Sequence, residues 1–209
     1  DLKLLSTVDI IYVSLDIKTN NKGESSLKEI NTSIKKIKNN LNSNSIVVIL
    51  SQVPPGFTRT KKYLFKNLFY HVETLIFGEA LNRALKPERF IIGCEKAKDR
   101  IPAKLDYYLK DFGCPILKMK YESAELAKIS INMFLISTVT TSNLLAEVCN
   151  SINANWDEIR ESLHLDKRIG PHAYLSPGLG ISGGNLERDL TTISKITEER
   201  NLNVSIPNI

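Results

Sequence analysis

The first 120 residues alternate short apolar runs with amphipathic stretches. Apolar runs rich in β-branched residues, each bounded by polar or Gly/Pro turns, predict strands at residues 8–13, 45–50, 89–93 and 115–119. Helical spacing of apolar residues predicts helices at residues 27–41, 58–69 and 99–112. Strands that alternate with helices indicate an α/β fold, with a parallel sheet joined through right-handed crossovers.

The pattern changes near residue 120, where a long helix is predicted. Ser123 can cap this helix, and apolar positions recur at helical spacing with no Pro or Gly until Gly170. Further helices are predicted at residues 156–163 and 190–199. We therefore predict a boundary between an α/β part, residues 1–120, and a helical part, residues 121–209.

Composition narrows the class of protein. The 209 residues are 42% hydrophobic and 24% charged, which is typical of a globular chain and excludes a disordered, collagen-like or coiled-coil protein. Nowhere do eighteen apolar residues run without a charge, and the N-terminus has no secretory signal. We therefore expect a soluble cytoplasmic protein with no membrane partner.

Charge and cysteine content indicate no special partner. The net charge is +5, but the densest basic cluster, Lys35, Lys36 and Lys38, lies on a predicted helix without interleaved aromatic residues. A solvated helix face explains it better than a phosphate track, so we expect no nucleic-acid partner. Three widely spaced cysteines without a CxxC pattern predict buried thiols rather than disulfides or a metal site.

A glycine-rich loop matches the GxGxxG pattern at Gly178, Gly180 and Gly183. A dinucleotide fingerprint requires a strand immediately before the first glycine, whereas the preceding segment here is short and ends at Pro177. The loop is better interpreted as a substrate or active-site loop, where glycines let the backbone approach a ligand closely.

The long predicted helix carries Lys128 and Asn132 four residues apart, with Glu125 one turn earlier. An ammonium and a carboxamide side by side are suitable donors for an oxyanion that develops at a carbonyl carbon. The same spacing is typical of an ordinary amphipathic helix, so spacing alone leaves both interpretations open.

Five segments in a fixed order resemble the UDP-glucose/GDP-mannose dehydrogenase family. They are SQVPPGFT at residues 51–58, LKPERFIIG at 85–93, SAELAKISIN at 123–132, RIGP at 168–171 and PGLGISGGNLERD at 177–189. The resemblance covers essentially the whole chain, which corresponds to the middle of a family member. Members begin with a strand and a true GxGxxG turn for the adenosine half of NAD and end with another Rossmann-like domain for the substrate nucleotide; this sequence contains neither region.

The resemblance implies a fold and an activity. The fold is the C-terminal part of a Rossmann-like parallel-sheet domain, which binds NAD, followed by an α-helical central domain, through which members form homodimers. The activity is oxidation of the C6 alcohol of a UDP- or GDP-sugar, carried out twice with NAD. In the family a cysteine captures the intermediate aldehyde as a thiohemiacetal, which becomes a thioester and is then hydrolysed to the acid.

Site residues carry over from the family by position. Lys128 and Asn132 match the pair that stabilises the oxyanion, Glu73 matches a glutamate that orders water, and Asp189 matches an aspartate that assists the base chemistry. Arg168 matches an arginine that reaches the sugar nucleotide of the neighbouring subunit. The remaining matches are substrate-binding Tyr174, Leu175, Gly180 and Gly183, and cofactor-binding Gln52, Pro54 and Arg188; no metal is implied.

The chain departs from the family at the nucleophile. The family's loop reads Gly-Gly-Ser-Cys-Phe-Pro-Lys-Asp, and the position of its cysteine is Asn185 here. A carboxamide cannot form a thioester, so the acid-forming half of the reaction loses its covalent route. Other departures are Gln52 for Thr, Phe77 for a second Glu and His71-Val72 for Asn-Pro.

Two functions from different classes follow. One is an NAD-dependent dehydrogenase that carries out the first hydride transfer and releases an aldehyde, which the retained Lys128, Asn132, Asp189 and Arg168 favour. The other is a catalytically inactive homologue that acts as a dimerisation or interaction module, which Asn185, Gln52 and Phe77 favour.

Overall fold

The computed structural model describes residues 2–20, 23–76, 78–178 and 184–202. The chain divides into two compact units, Asp1–Ile129 and Ser130–Ile209. The first unit alternates strands with helices, and the described part of the second is helical. Phe77, Gly180 and Gly183, which the sequence analysis singled out, lie outside the described residues.

The first unit is a five-stranded sheet with connecting helices. The strands are β1 (Ile10–Val13), β2 (Ile46–Ile49), β3 (Asn67–His71), β4 (Phe90–Cys94) and β5 (Ile116–Lys120). The helices are α1 (Lys28–Asn40), α2 (Phe57–Lys61), α3 (Ala80–Leu85), α4 (Ala103–Lys110) and the start of α5 (Tyr121–Ile152). Short 3-10 turns cover Leu2–Ser6 and Lys62–Leu64.

The strands lie side by side in chain order, from β1 to β5. Neighbours are parallel except for β3 and β4, which run antiparallel with Tyr70 opposite Gly93. The α/β fold is confirmed, but this pair interrupts the parallel sheet. Among the described residues of the connection between β3 and β4, α3 is the one helix and it buries no residue, so none of these residues forms a crossover helix packed on the sheet.

Both faces of the sheet are covered. Every residue of β2 is buried, which explains why its sequence is continuously apolar. On one face α1 and α5 pack through Ile30, Ile34, Tyr121 and Ala124. On the other face α4 packs through Leu105 and Leu109.

The helix predicted at residues 58–69 is wrong in its second half. Helical structure begins at Phe57 and ends at Leu64, and Asn67–His71 is the strand β3. Leu64, Phe65 and Leu68 follow helical spacing by coincidence, whereas Leu68 to Tyr70 are consecutive buried residues of a central strand. Tertiary burial, rather than local periodicity, decides the structure here.

The second unit contains the rest of α5 together with α6 (Trp156–Leu165) and α7 (Gly184–Glu199). Asn155 caps α6 by accepting a hydrogen bond from the N–H of Asp157. Cys149, Trp156 and Leu175 form the core of this unit. The three helices predicted after residue 120 are confirmed, with α5 and α7 beginning before their predicted starts at residues 123 and 190.

Helix α5 is long and apolar enough to cross a bilayer, judged by length and composition only. The core helix of a soluble protein satisfies the same criterion. Two polar side chains of α5, Asn132 and Ser142, are buried and hydrogen-bonded within the second unit. Such polar contacts are typical of a helix that packs against protein.

Gly93 marks the closest approach of β4 to its neighbours. A Cβ atom there would lie 2.9 Å from Tyr70 Cβ and 3.0 Å from Ala124 Cβ. We expect Gly93→Ala to destabilise the first unit by about 2–3 kcal/mol, because these neighbours are packed on both sides. Urea unfolding followed by circular dichroism measures this effect, and the fluorescence of the single tryptophan, Trp156, reports the second unit separately.

The matched control for this prediction is Gly113→Ala. Gly113 has a φ of +66° but nothing within 4 Å of an added Cβ, so only backbone strain of about 1 kcal/mol is expected. Equal losses in the two variants would show that close packing around Gly93 costs no more than the backbone strain at Gly113, and would contradict the packing argument.

Candidate functional site

Three predicted site residues lie at one edge of the sheet. Gln52 and Pro54 follow β2, and Glu73 follows β3. Because β1, β2 and β3 are parallel, their carboxyl ends meet at this edge, which is where α/β sheets bind ligands. Gln52 and Pro54 are half-buried and Glu73 is exposed. The edge therefore fits the cofactor role that the resemblance implies for Gln52 and Pro54.

A buried carboxylate joins the turn after β2 to α5. Glu125 is fully buried; its Oε2 accepts the N–H of Gly56 at 2.5 Å and its Oε1 accepts the N–H of Thr58 at 2.8 Å. Burial raises the pKa of Glu125, and these hydrogen bonds oppose that rise. Lys128 follows one turn later on α5 and is half-buried.

The second unit brings together two predicted catalytic residues that are 57 positions apart in the sequence. Asn132 on α5 donates from Nδ2 to Asp189 Oδ2 on α7 at 2.6 Å. Arg188 Nε lies 4.0 Å from Asp189 Oδ1. All three side chains are buried. A buried carboxylate held by a carboxamide and a guanidinium is a group that can accept a proton in a fixed position.

Asn185 lies at the exposed end of the same network. Its Oδ1 accepts a hydrogen bond from Arg188 Nη2 at 2.8 Å, one turn along α7. Arg188 therefore links the nucleophile position of the family to Asp189. The described part of this cluster holds a carboxylate and polar donors, and Asn185 contributes a carboxamide that does not act as a nucleophile.

The other predicted binding residues lie elsewhere in the second unit. The Arg168 side chain is 88% exposed and pairs with Asp166 at 2.6 Å. Leu175 is buried and Tyr174 is exposed. Main-chain carbonyls hold both in place, since Tyr174 O accepts from Ser142 Oγ and Leu175 O accepts from Trp156 Nε1.

Two models of one family together match most of the chain. The NAD binding domain of the UDP-glucose/GDP-mannose dehydrogenase family matches residues 2–108, and the central domain of the same family matches residues 122–208. The chain belongs to this family. The resemblance on five segments is thus confirmed, as is the order of a Rossmann-like domain followed by a helical central domain.

Individual relatives agree with this assignment. The chain is 27% identical over 206 residues to a UDP-glucose 6-dehydrogenase of Rickettsia prowazekii, covering 95% of this chain and 47% of the relative. It is 27% identical over 199 residues to one of Bacillus subtilis, covering 91% and 42%. The chain spans about half the length of the curated relatives that it matches.

A structural relative is a UDP-glucose dehydrogenase from the hyperthermophilic archaeon Pyrobaculum islandicum. It superimposes with a TM-score of 0.81 at 25% identity, over 97% of this chain and 49% of that one.

Sequence reasoning missed the residues that fix the start of the glycine-rich loop in this dehydrogenase homologue. Asn143 Oδ1 accepts the N–H of Gly178 at 2.9 Å, and Ser142 and Trp156 bind the two carbonyls described above. Polar residues on the apolar helix α5 were the available signal, because buried polar groups need partners. No spacing rule indicated which partners they have.

A cavity of about 290 Å³ adjoins Glu73 in the first unit. Aromatic side chains form much of its wall, including Tyr12, His71, Phe90 and Tyr108. His71 Nδ1 and Tyr12 Oη are buried and have no hydrogen-bond partner among the described residues. Burial lowers the pKa of His71 to about 4, so its imidazole is neutral at physiological pH.

Cysteine thiols and metal ligands are the remaining groups that could carry chemistry. All three cysteines are free thiols; Cys94 and Cys149 are buried and Cys114 is half-buried. Burial raises the pKa of Cys94 to about 11, which makes it unreactive. Within the described ranges, no group of three or more His, Cys, Asp and Glu residues could hold a metal ion.

Proposed function

We propose that this family member is an NAD-dependent dehydrogenase that oxidises the C6 alcohol of a UDP- or GDP-sugar to the aldehyde. The observation that carries the proposal is the buried network of Asn132, Arg188 and Asp189, in which a carboxylate has a fixed position. A module that serves only for dimerisation has no need of a buried, charged group, which costs free energy unless it is paired.

The residues divide the chemistry between them. Oxidation of the alcohol removes its hydroxyl proton and transfers a hydride from C6, and NAD, when bound, accepts the hydride. Asp189 receives the proton, directly or through one water. Lys128 and Asn132 donate hydrogen bonds to the oxygen as it becomes an alkoxide and then a carbonyl.

The residues of the first unit fit one end of the cofactor. Gln52 and Pro54 lie at the carboxyl end of β2, beside the parallel strands β1 and β3, where a nicotinamide ring can approach the sheet edge. Arg188 supplies a positive charge in the second unit, and the resemblance assigns it to the cofactor as well. The match of residues 2–108 to the family's NAD binding domain supports the assignment of Gln52 and Pro54 to the cofactor.

The reaction stops at the aldehyde because Asn185 occupies the nucleophile position. Its carboxamide nitrogen is not nucleophilic, and its oxygen already accepts a hydrogen bond from Arg188. Without a thiohemiacetal no second hydride is transferred from a covalent intermediate. The aldehyde or its hydrate is then the product that leaves.

An assay of the complete polypeptide, as its own cell makes it, tests the proposal. UDP- and GDP-sugars are supplied one at a time with NAD, NADH is followed by absorbance, and the sugar product is identified by mass spectrometry after aldehyde trapping. NADH formation with a trapped aldehyde is expected. Absence of NADH with every sugar would instead support the inactive homologue.

One observation favours dimerisation whether the protein is an active dehydrogenase or an inactive homologue. Helix α5 exposes large apolar side chains within the second unit, and Phe134, Leu144 and Ile152 are 78%, 59% and 68% exposed. Val148 adds a further exposed apolar residue between the last two. Exposed apolar surface of this kind is typical of an interface, so we infer a homodimer through the helical unit.

We expect light scattering to give the mass of a dimer, and Leu144→Asp with Ile152→Asp to give a monomer, because two charges on this face would be buried at the interface. The matched control is Leu81→Asp with Leu85→Asp, which alters exposed leucines of α3 in the first unit. A wild-type monomer over the full working range of concentration would contradict the homodimer.

The relatives from Rickettsia prowazekii and Bacillus subtilis are UDP-glucose 6-dehydrogenases, and nucleotide sugars are soluble metabolites. We therefore propose that the protein acts in the cytoplasm, with a nucleotide sugar and a second copy of itself as partners. Fractionation of source cells checks this location, and recovery in the membrane pellet would contradict it.

A further inference from the structure

Glu125 is the buried acidic residue of the first unit that the proposed reaction leaves without a role. It is 0% exposed, and both carboxylate oxygens accept main-chain hydrogen bonds from the segment that follows β2. A carboxylate buried among apolar groups is costly unless such bonds compensate it. Its two donors, at Gly56 and Thr58, lie close together in one short turn.

That turn has little internal support of its own. Gly56 has a φ of +94°, which glycine adopts easily and other residues rarely. Helix α2 after it has five residues, and its N-cap residue is Gly56, which has no side chain that could cap the helix. Within the turn, Phe57 N–H donates to Pro54 O at 3.1 Å. The carboxylate from α5 therefore supplies hydrogen bonds that the turn does not make locally.

Both ends of the Glu125 contact adjoin proposed site residues. The turn contains Pro54 and follows Gln52, the two residues proposed to contact the cofactor in the first unit. On α5, Lys128 is one helical turn after Glu125. The carboxylate therefore connects the cofactor side of the site with the helix that carries an oxyanion donor.

We propose that Glu125 is a positioning residue for NAD: by holding the N–H groups of Gly56 and Thr58, its carboxylate fixes the turn that presents Gln52 and Pro54 to the cofactor. The inference rests on the proposed function for the assignment of that turn to NAD. We therefore predict that a substitution of Glu125 weakens cofactor binding while the variant still folds.

The test is NADH binding to the complete polypeptide, followed by the fluorescence of the bound nucleotide. Glu125→Gln preserves size, but both oxygens of the carboxylate are in use, so the new NH₂ group must face one of the two N–H donors. We expect the Kd for NADH to rise about tenfold, with an unchanged number of sites per folded chain. A purely structural role would lower the number of sites and leave the Kd of the remainder unchanged.

The control variant is Glu122→Gln on the same helix. Glu122 is partly exposed and pairs with Arg59 of α2 at 2.6 Å, so its replacement removes a carboxylate one turn away and leaves both hydrogen bonds of Glu125 to the turn in place. We expect its Kd for NADH to equal that of the wild type. Hydrogen exchange adds a direct readout, because the Gly56 and Thr58 amides should lose protection in Glu125→Gln and keep it in Glu122→Gln.

A second variant covers the case in which Glu125→Gln does not fold. Gly56→Ala strains the turn through its positive φ, and an added Cβ meets nothing within 4 Å. It should raise the Kd for NADH in the same way. Wild-type Kd values in both variants, or in whichever of them folds, would overturn the inference.

Oxidation of the sugar is measured separately, so that the two proposals can fail independently. Weaker NADH binding in Glu125→Gln, with no sugar oxidised by the wild type, retains the positioning role and removes the proposed function. If the wild type oxidises the sugar and Glu125→Gln binds NADH as tightly as the wild type does, the proposed function is retained and the positioning role is removed. A wild-type polypeptide that does not bind NADH would remove both.

Discussion

Asp189→Asn is expected to lower kcat for nucleotide-sugar oxidation by about 10²- to 10⁴-fold, the usual contribution of a positioned general base. The carboxylate is buried and receives a hydrogen bond from Asn132 at 2.6 Å. A carboxamide at this position cannot accept the hydroxyl proton of the sugar. The KM for the sugar should change little, because Asp189 is proposed to act on the proton rather than on the nucleotide.

Asp157→Asn serves as the control for this prediction. Asp157 lies at the start of α6, and its side chain is 73% exposed and pairs with Arg160. We expect wild-type kcat from this variant. Steady-state kinetics of the two variants, with circular dichroism to establish that both are folded, make the comparison. Equal kcat values in Asp189→Asn and the wild type would remove Asp189 from the proposed chemistry.

Acidification from pH 6.5 to pH 4 is expected to cost the first unit about 3 kcal/mol of stability through His71 alone. The pKa of His71 falls from 6.5 to about 4 on folding, because burial disfavours the charged imidazolium. Between these pH values the unfolded chain binds a proton that the folded chain does not. Stability is therefore complete above pH 6.5 and is lost as the pH falls toward 4.

His71→Phe keeps an aromatic ring beside Phe90, which lies 5.1 Å from His71 between ring centroids, and removes the titrating group. Urea unfolding at a series of pH values should show a shallower loss of stability in this variant than in the wild type. His172→Asn, an exposed histidine of the second unit, is the control and should follow the wild type. If the free energy of unfolding falls equally with pH in the wild type and in His71→Phe, the proposed effect of burying His71 is contradicted.

Parts of the fold that depend on local pattern could be predicted from the sequence. β2 has a continuous apolar run because both of its sides are covered, and α1 has apolar residues at Ile30 and Ile34 on its buried side. β3 was mistaken for helix, because its identity depends on pairing with β2 and β4 rather than on its own short sequence. The antiparallel direction of β4 relative to β3 also depends on the tertiary path of the chain, and the spacing of apolar residues does not predict that path.

The candidate site, too, could be predicted only in part from the sequence. The helical spacing of Lys128 and Asn132 was visible, but the partner of Asn132 is Asp189, 57 residues away, and no local pattern joins them. Family resemblance named Asn132 and Asp189 as separate site residues without pairing them, and the structure places the two side chains in contact. Glu125 was visible only as an acidic residue near Lys128; its two main-chain partners follow from the packing of α5 against the turn after β2.

The departure at Asn185 is the feature that most distinguishes this chain from the family pattern. Arg188 Nη2 lies 2.8 Å from Asn185 Oδ1, so a cysteine introduced at this position would lie beside a guanidinium. A neighbouring cation lowers the pKa of a thiol and so favours the nucleophilic thiolate. Asn185→Cys is therefore expected to restore acid formation, and Asn185→Ser, with a hydroxyl of high pKa, is the matched control that should not.

The most direct test of the proposed reaction is the number of NADH molecules formed for each sugar consumed by the complete polypeptide. An aldehyde-forming enzyme gives one NADH per sugar, because one hydride leaves C6, whereas acid formation gives two. We predict a ratio of one with a trapped aldehyde for the wild type, rising toward two with sugar acid for Asn185→Cys. A ratio of two and a sugar acid from the wild type would contradict the proposal that Asn185 stops the reaction at the aldehyde.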